Sequence, residues 1–312
     1  VRVLVCGTNY GSSYLRALYA NEQGLQPAGI LARSEQSRAI ARQSGVPFYT
    51  NVDDVPPGAI DAACVAIPGD AGFAIVSALL ARGIHVLAEH PVYAEEVEAH
   101  RKTARANRAV YHVNAHYSDL DAAAVFVSAF RAARARSRLL FVNVLTNPRA
   151  VYSAIELITR AMGPLATITA GDGGAFFTIA HAGAVTVQTQ RETSEVDDGS
   201  SIWVSHNITA GFDDGVLALA EAHGPVTWMP APPPVAQLSA GAEAWARPLW
   251  RLLASAPPTF GDYAGWARER ANRIALARFA AEMRTGVTPP EQSDEHLLAV
   301  SRAWKDITMA LT

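Results

Sequence analysis

The chain has 312 residues, 50% hydrophobic and 18% charged, with a formal net charge of −3. This composition excludes a disordered chain, and the near-balanced charge leaves no electrostatic footprint for nucleic acid or an anionic membrane. No run approaches the roughly 20 apolar residues of a membrane span, and the apolar start is too short for a signal peptide. A cytoplasmic protein long enough for two domains is therefore expected.

The first third alternates strand and helix patterns. Strands are predicted over Val1–Cys6, Leu25–Ala32, Val46–Tyr49, Ala59–Ile67, His85–Glu89 and Val110–Ala115. Between them lie helical patterns over Ser12–Asn21, Glu35–Ser44, Asp70–Arg82 and Ala94–Asn107. Near-continuous apolar strands joined by amphipathic helices imply a parallel sheet covered on both faces, with ligands at the C-terminal strand ends. Two cysteines, Cys6 and Cys64, fall inside apolar strands and imply neither a disulfide framework nor a metal centre.

Beyond about residue 120 the pattern changes. Helices are predicted over Asp121–Arg134 and Ala150–Met162, with a strand over Leu139–Leu145 between them. Turn-punctuated strands follow at Ala166–Ala170, Gly174–His181, Ala184–Glu192, Ser200–Thr209, Gly215–Ala222 and Val226–Met229. They imply an open, mostly antiparallel sheet. Pro230–Pro234 reads as a loop, Tyr263–Thr285 as one long helix and Glu295–Leu311 as a closing helix. The predicted fold class is α/β: a Rossmann domain over residues 1–119, then an α+β domain over 120–312 whose last helices can pack back on the first.

The first βα turn, Gly7-Thr8-Asn9-Tyr10-Gly11, carries the strongest local signal. A strand feeding a Gly-rich turn into a helix N-terminus aims backbone N–H groups and the helix dipole at a pyrophosphate. In the G-x-G-x-x-G pattern Gly7 takes the first position, Asn9 the second and Ser12 the third. Asn tolerates positive φ better than most residues, so the turn is still feasible; a tight connection without ligand is the alternative. Pro68, just after the fourth strand, is another residue at a C-terminal strand end where a ligand is expected.

The second strand ends Ala32-Arg33-Ser34, without the acid that normally bonds the adenosine ribose. A guanidinium and a hydroxyl suit a 2′-phosphate, and Arg38 can add a second cation, so NADPH is expected over NADH. The alternative leaves Arg33 a solvated loop residue.

After the fifth strand comes Glu89-His90-Pro91, and after the sixth Asn114-Ala115-His116-Tyr117. On these segments and its domain order the chain resembles the glucose-fructose oxidoreductase/inositol dehydrogenase family over nearly its full length. Most members carry Glu-Lys-Pro, with the lysine serving proton transfer beside the nicotinamide; His90 stands in its place here. The sugar and polyol dehydrogenases add a His-x-x-Asp pair in an early helix of the second domain. The best match here, Ser153-Ala154-Ile155-Glu156, has no histidine.

A narrower group, the thiazolinyl imine reductases of yersiniabactin- and pyochelin-type siderophore assembly, keeps Glu-His-Pro. The chain is similar to it at Arg2–Thr8, Leu31–Ser34, Glu89–Pro91 and Val113–Tyr117. The resemblance implies His90 and Tyr117 as proton donors. The candidate NADPH contacts are Gly7, Thr8, Asn9, Tyr10, Gly11, Arg33, Ser34, Arg38, Pro68, Glu89 and His116, and hydride from the cofactor calls for no metal. The implied substrate is a thiazoline tethered to a carrier protein of a non-ribosomal peptide synthetase, reduced to a thiazolidine; a homodimer is implied by the same analogy.

The chemistry is coherent by itself, because an imidazole titrating near neutrality can protonate an imine nitrogen while hydride arrives at carbon. A phenol of pKa about 10 is a weaker acid that can position the nitrogen or relay a proton. The bland alternatives stay open: His90 capping its strand, Tyr117 walling the pocket, His116 competing as the acid, and Glu89 shaping its loop. His181 and His206 read as sheet-face residues and Asp197-Asp198-Gly199 as a turn. Trp203, Trp228, Trp245 and Trp250 line a cleft or fill a core. Two rival functions remain, an NAD(P)-dependent sugar or cyclic-alcohol dehydrogenase and a non-catalytic NADP-binding regulator.

Overall fold

Apolar strands with no polar face demand cover on both sides, and the first part of the chain supplies it. In a computed structural model, β1 (Arg2–Cys6), β2 (Gln26–Leu31), β3 (Phe48–Tyr49), β4 (Ala62–Val65), β5 (His85–Glu89) and β6 (Tyr111–Asn114) form one parallel sheet. Its order is β3-β2-β1-β4-β5-β6. Helices α1 (Gly11–Tyr19), α2 (Glu35–Ser44), α3 (Gly69–Ala81) and α4 (Ala94–Ala106) connect successive strands. The order reverses between β1 and β4, so the turns after these strands flank the switch point where such sheets take ligands.

The structure describes residues 1–20, 24–171, 177–190, 206–232, 248–256, 259 and 268–310. The chain divides into two units, Val1–Asp119 with Ala264–Arg302, and Leu120–Tyr263 with Ala303–Thr312. The first unit therefore borrows a late segment. In α7 (Arg268–Thr285), Leu276, Phe279 and Ala280 join Tyr14, Leu15 and Leu18 of α1 and Val3, Val5, Cys64 and Leu87 of the sheet in one core. The side chain of Gln292 closes the β6 edge, donating to the Val113 carbonyl at 2.8 Å and accepting from the Val113 N–H at 2.9 Å. The outward-facing backbone groups of Val113 are thereby satisfied without another strand. Cys6 and Cys64 are free and buried, and burial raises both thiols above their ordinary range.

In the second unit, β7 (Leu139–Thr146), β8 (Thr169–Gly171), β9 (Phe177–Ala182), β10 (Val185–Gln190), β11 (His206–Phe212), β12 (Gly215–Leu219), β13 (Val226–Pro230) and β14 (Arg251–Ala254) form a second sheet. Its order is β14-β13-β12-β11-β7-β10-β9-β8. Every pairing is antiparallel except β7 with β10. Burial alternates along β11 and β12, and α5 (Asp121–Arg136) and α6 (Val151–Met162) pack on the buried face. A Rossmann-type unit followed by a mostly antiparallel sheet unit is the observed architecture. The last helix is α8 (Asp294–Ala310).

The differences from the sequence pattern have local reasons. β14 was not foreseen because its Arg251, Leu252 and Leu253 are all exposed, so no alternation marks it as a strand. The strand expected at Ser200–Thr209 is described from His206 and runs on to Phe212. The Asp197-Asp198-Gly199 turn, Trp203 and Trp245 lie outside the described residues. Trp228 is core at 5% exposure, whereas Trp250 is 57% exposed. Among the described residues no helix is long and apolar enough to cross a membrane.

Candidate functional site

The turn after β1 is built for close approach. Gly7 has φ +81°, and a Cβ there would lie 2.9 Å from the Ala66 carbonyl oxygen, so both backbone conformation and space require glycine. At Gly11, where α1 begins, a Cβ would come within 3.0 Å of Val5 Cγ1. Gly11 therefore performs the close helix–strand packing that the fingerprint assigned to Ser12. The helix starts one residue earlier than the spacing implied, and the Ser12 hydroxyl instead bonds the Asn9 carbonyl at 3.0 Å. Asn9 does not use a positive φ; among described residues only Arg108 and His116 do so without being glycine. Thr8 bonds Ser37 at 2.6 Å. The cradle, the N-terminus of α1 and exposed Pro68 before α3 meet the requirements of a dinucleotide pyrophosphate.

At the end of β2, Ser34 caps α2 by accepting the Ser37 N–H at 3.1 Å, and its hydroxyl lies 2.6 Å from that of Ser37. Sequence reasoning missed Ser37, which links Thr8 to Ser34. The Arg38 guanidinium stacks 4.5 Å from the Phe48 ring centre and pairs with Glu35 at 3.1 Å. Arg33 is exposed and has no ion pair among the described residues.

The ends of β5 and β6 lie side by side, Glu89 opposite Asn114. There His90 directs Nδ1 at the Asn114 carbonyl oxygen, 2.9 Å away, with Glu89 Oε1 alongside at 2.8 Å. The other Glu89 oxygen accepts the Tyr14 hydroxyl at 2.5 Å. Tyr14 is wholly buried, and burial first, then the Glu89 charge, raises its hydroxyl well above the ordinary value, which keeps it a donor. The Asn114 amide donates to Tyr14 Oη at 2.6 Å and to Asn272 Oδ1 at 3.0 Å, and Asn272 donates to Ser13 Oγ at 3.0 Å. Three residues of this network, Ser13, Tyr14 and Asn272, escaped the sequence analysis, which quoted Asn114 only within the Val113–Tyr117 segment. None sits in a recognisable motif, and Asn272 arrives from a helix 158 residues beyond Asn114.

A second group gathers Tyr10, His116 and Tyr117. His116 has φ +46°, an unusual conformation for a histidine, held by its N–H donating to Asn114 Oδ1 at 3.0 Å. Its buried ring meets Tyr10 edge-on at 5.9 Å and Tyr117 at 4.8 Å between ring centres. The turns after β1 and β6 thus come together.

In the second unit, α6 carries the Ser153-Ala154-Ile155-Glu156 segment. Ser153 bonds Nε2 of His206 at 2.9 Å, so a histidine does reach this helix, supplied by β11. Glu156 pairs with Arg160. His181 is exposed, 3.2 Å from the Thr186 hydroxyl.

Residues 1–115 match the GFO/IDH/MocA family model, described as an oxidoreductase family with an NAD-binding Rossmann fold. The matched residues span the whole parallel sheet of the first unit. Curated proteins yield no match. Solved structures share the fold over the chain. Levoglucosan dehydrogenase, solved with NADH and levoglucosan, is 13% identical with a TM-score of 0.75, covering 99% of this chain and 96% of that one. The WlbA dehydrogenase of Bordetella pertussis, solved with NADH and UDP-GlcNAcA, is 13% identical at TM-score 0.74, covering 99% and 95%. Biliverdin reductase of Synechocystis sp. PCC 6803, solved with biliverdin and NADP+, is 14% identical at TM-score 0.71, covering 99% and 97%.

Proposed function

We propose that this GFO/IDH/MocA oxidoreductase reduces a C=N bond with NADPH, His90 supplying the proton. In its finest form, the substrate is a thiazoline carried on a non-ribosomal peptide synthetase and reduced to a thiazolidine in siderophore-type biosynthesis. The observation that carries the reading is the histidine itself. His90 stands at the end of β5 where the resemblance expects lysine, with Nδ1 bonded to the Asn114 backbone carbonyl and 2.8 Å from Glu89 Oε1. An imidazole bonded at Nδ1 exchanges its proton through Nε2.

A nicotinamide dinucleotide bound at the switch point supplies hydride. The Gly7–Gly11 turn and the α1 N-terminus hold its pyrophosphate. Arg33, exposed and without an acid beside it on β2, together with the capped start of α2, receives the ribose 2′-phosphate; this favours NADPH. Because a neutral imine accepts hydride poorly, protonation at nitrogen by His90 lowers the barrier, an effect typically worth about 10²–10⁴-fold. Tyr117 positions the same nitrogen or acts as second donor. A transient carrier-protein contact and a homodimer belong to this reading.

Oxidation of a sugar or cyclic alcohol is the second reading. Levoglucosan and a UDP-sugar in two of the similar solved structures favour it, and by ligand class they fit it at least as well as the imine. An unprotonated Nε2 would then accept the hydroxyl proton. The deciding experiment follows nicotinamide absorbance in two assays: NADPH or NADH with an aryl-thiazoline thioester, and NADP+ or NAD+ with a sugar panel. Thiazolidine formation with NADPH supports the first reading; reduction of NADP+ or NAD+ by a sugar, with no thiazoline turnover, replaces it with the second. Tight cofactor binding without turnover in either assay overturns both in favour of a cofactor-binding regulator.

A further inference from the structure

We infer that Tyr14, Glu89, Asn114 and Asn272 are positioning residues that hold His90 as its Nδ1–H tautomer, making Nε2 the nitrogen that carries the reacting proton. This rests on the reading that His90 handles the proton.

The argument is one of hydrogen-bond polarity. The His116 N–H donates to the Asn114 side-chain oxygen at 3.0 Å, which identifies that atom as the carbonyl end of the amide. The other end is then the NH2 group, and its two hydrogens go to Tyr14 Oη at 2.6 Å and Asn272 Oδ1 at 3.0 Å. With its Oδ1 thus accepting, Asn272 donates onward to Ser13 Oγ at 3.0 Å, and Ser13 spends its hydrogen on the Tyr10 carbonyl at 2.7 Å. Tyr14 Oη, accepting from Asn114, has one hydrogen to give, and it goes to Glu89 Oε2 at 2.5 Å. A chain of donors with a single sense must end on an acceptor, so Glu89 Oε2 accepts from its neighbours and its carboxyl is fixed in orientation toward His90.

His90 Nδ1 faces the Asn114 backbone carbonyl oxygen at 2.9 Å, an obligatory acceptor, with Glu89 Oε1 in close contact at 2.8 Å. A ring nitrogen in that setting carries hydrogen in both the neutral and the charged ring. Neutral imidazole in water prefers the other tautomer, so the network works against the default. Tyr14 comes from α1, Glu89 from β5, Asn114 from β6 and Asn272 from α7, and Tyr14, Asn114 and Asn272 are each no more than 2% exposed. Partners locked this firmly by packing are what a precise tautomer requires.

The test uses the full chain labelled with 15N at histidine. His90 is assigned by the signals that vanish in His90→Gln, and its ring nitrogens are read above the pH at which it titrates. The expected wild-type spectrum shows a protonated Nδ1. Glu89→Gln, whose amide can turn a donor toward the ring, and Tyr14→Phe are expected to shift population to the Nε2–H form. On whichever substrate class is turned over, kcat is expected to fall at least about 10-fold in both, with cofactor affinity within about twofold in Tyr14→Phe. Asn272→Ala, which touches neither Glu89 nor His90, gives a smaller shift of the same sign and serves if Tyr14→Phe does not fold. A wild-type Nε2–H ring, or a tautomer unchanged in every variant, overturns the inference. A wild-type Nδ1–H ring without turnover of either substrate class leaves the positioning intact and removes the proposed function instead.

Discussion

Two histidines, one in each unit, both give a ring hydrogen to a fixed acceptor but differ in the role proposed for them. His90 sits at a strand end with its side chain 10% exposed and its Nδ1 facing a carbonyl and a carboxylate. His206 opens β11 wholly buried, its Nε2 2.9 Å from the Ser153 hydroxyl oxygen. Ser153 gives its hydrogen to the Ala150 carbonyl at 3.0 Å, within its own helical turn. The serine oxygen then accepts from the His206 ring, which is the reverse of the polarity needed to activate a nucleophile. The pair ties α6 to β11, whereas the Glu89 pairing leaves His90 able to gain and lose a proton.

The largest effect should fall on His90. His90→Gln is expected to slow turnover about 10²–10⁴-fold while cofactor affinity, read by nicotinamide fluorescence, changes less than about twofold. Equal losses in both would erase the distinction between the two histidines. Ser153→Ala should act on stability instead. Leaving the buried His206 N–H without its acceptor costs about 1–3 kcal/mol in urea unfolding, and a large loss of turnover at unchanged stability would promote the pair to a chemical role.

A third histidine sharpens the contrast on a pH scale. Burial lowers His100 to about 4 from its ordinary 6.5, between the Phe73 and Tyr111 rings, 4.7 and 5.1 Å away. The unfolded chain takes up that proton first as pH falls. The stabilising contribution is therefore complete above the unfolded value and is lost as pH descends from 6.5 through about 4. Between pH 7 and pH 5 the wild type should lose about 2 kcal/mol more than His100→Phe, measured as denaturant midpoints; equal losses would show that the ring titrates freely. The smallest expected effect is at the cofactor's far end. Arg33→Ala should weaken NADPH binding about 10-fold and leave NADH unchanged, and an equal loss for both cofactors would place Arg33 outside the phosphate site.

How much of this was legible depended on whether its cause was local. Glu35–Ser44 and His85–Glu89 have the bounds the pattern gives, because a capping serine, a terminal glycine and a dense apolar run are properties of neighbouring residues. The glycine fingerprint misled at Ser12, since contact with Val5 rather than motif spacing selects Gly11. Glu89 was legible as a site residue but not as the partner of Tyr14, whose aromatic ring in a helix reads only as core. The parallel β7–β10 pairing was hidden too, because alternation marks a strand without naming its neighbour.

By itself the sequence determined the strand–helix rhythm, the Rossmann-type first unit, the mostly antiparallel second sheet and the presence of a histidine after β5. Each is set by side-chain periodicity or by a residue's own conformational preference. Tertiary structure alone decided which nitrogen of His90 carries hydrogen, that Arg38 stacks on Phe48, and that Asn272 completes a network begun at Ser13. Those outcomes depend on atoms brought within 3 to 5 Å from positions far apart in the chain, and hydrogen-bond polarity exists only once both partners are in place.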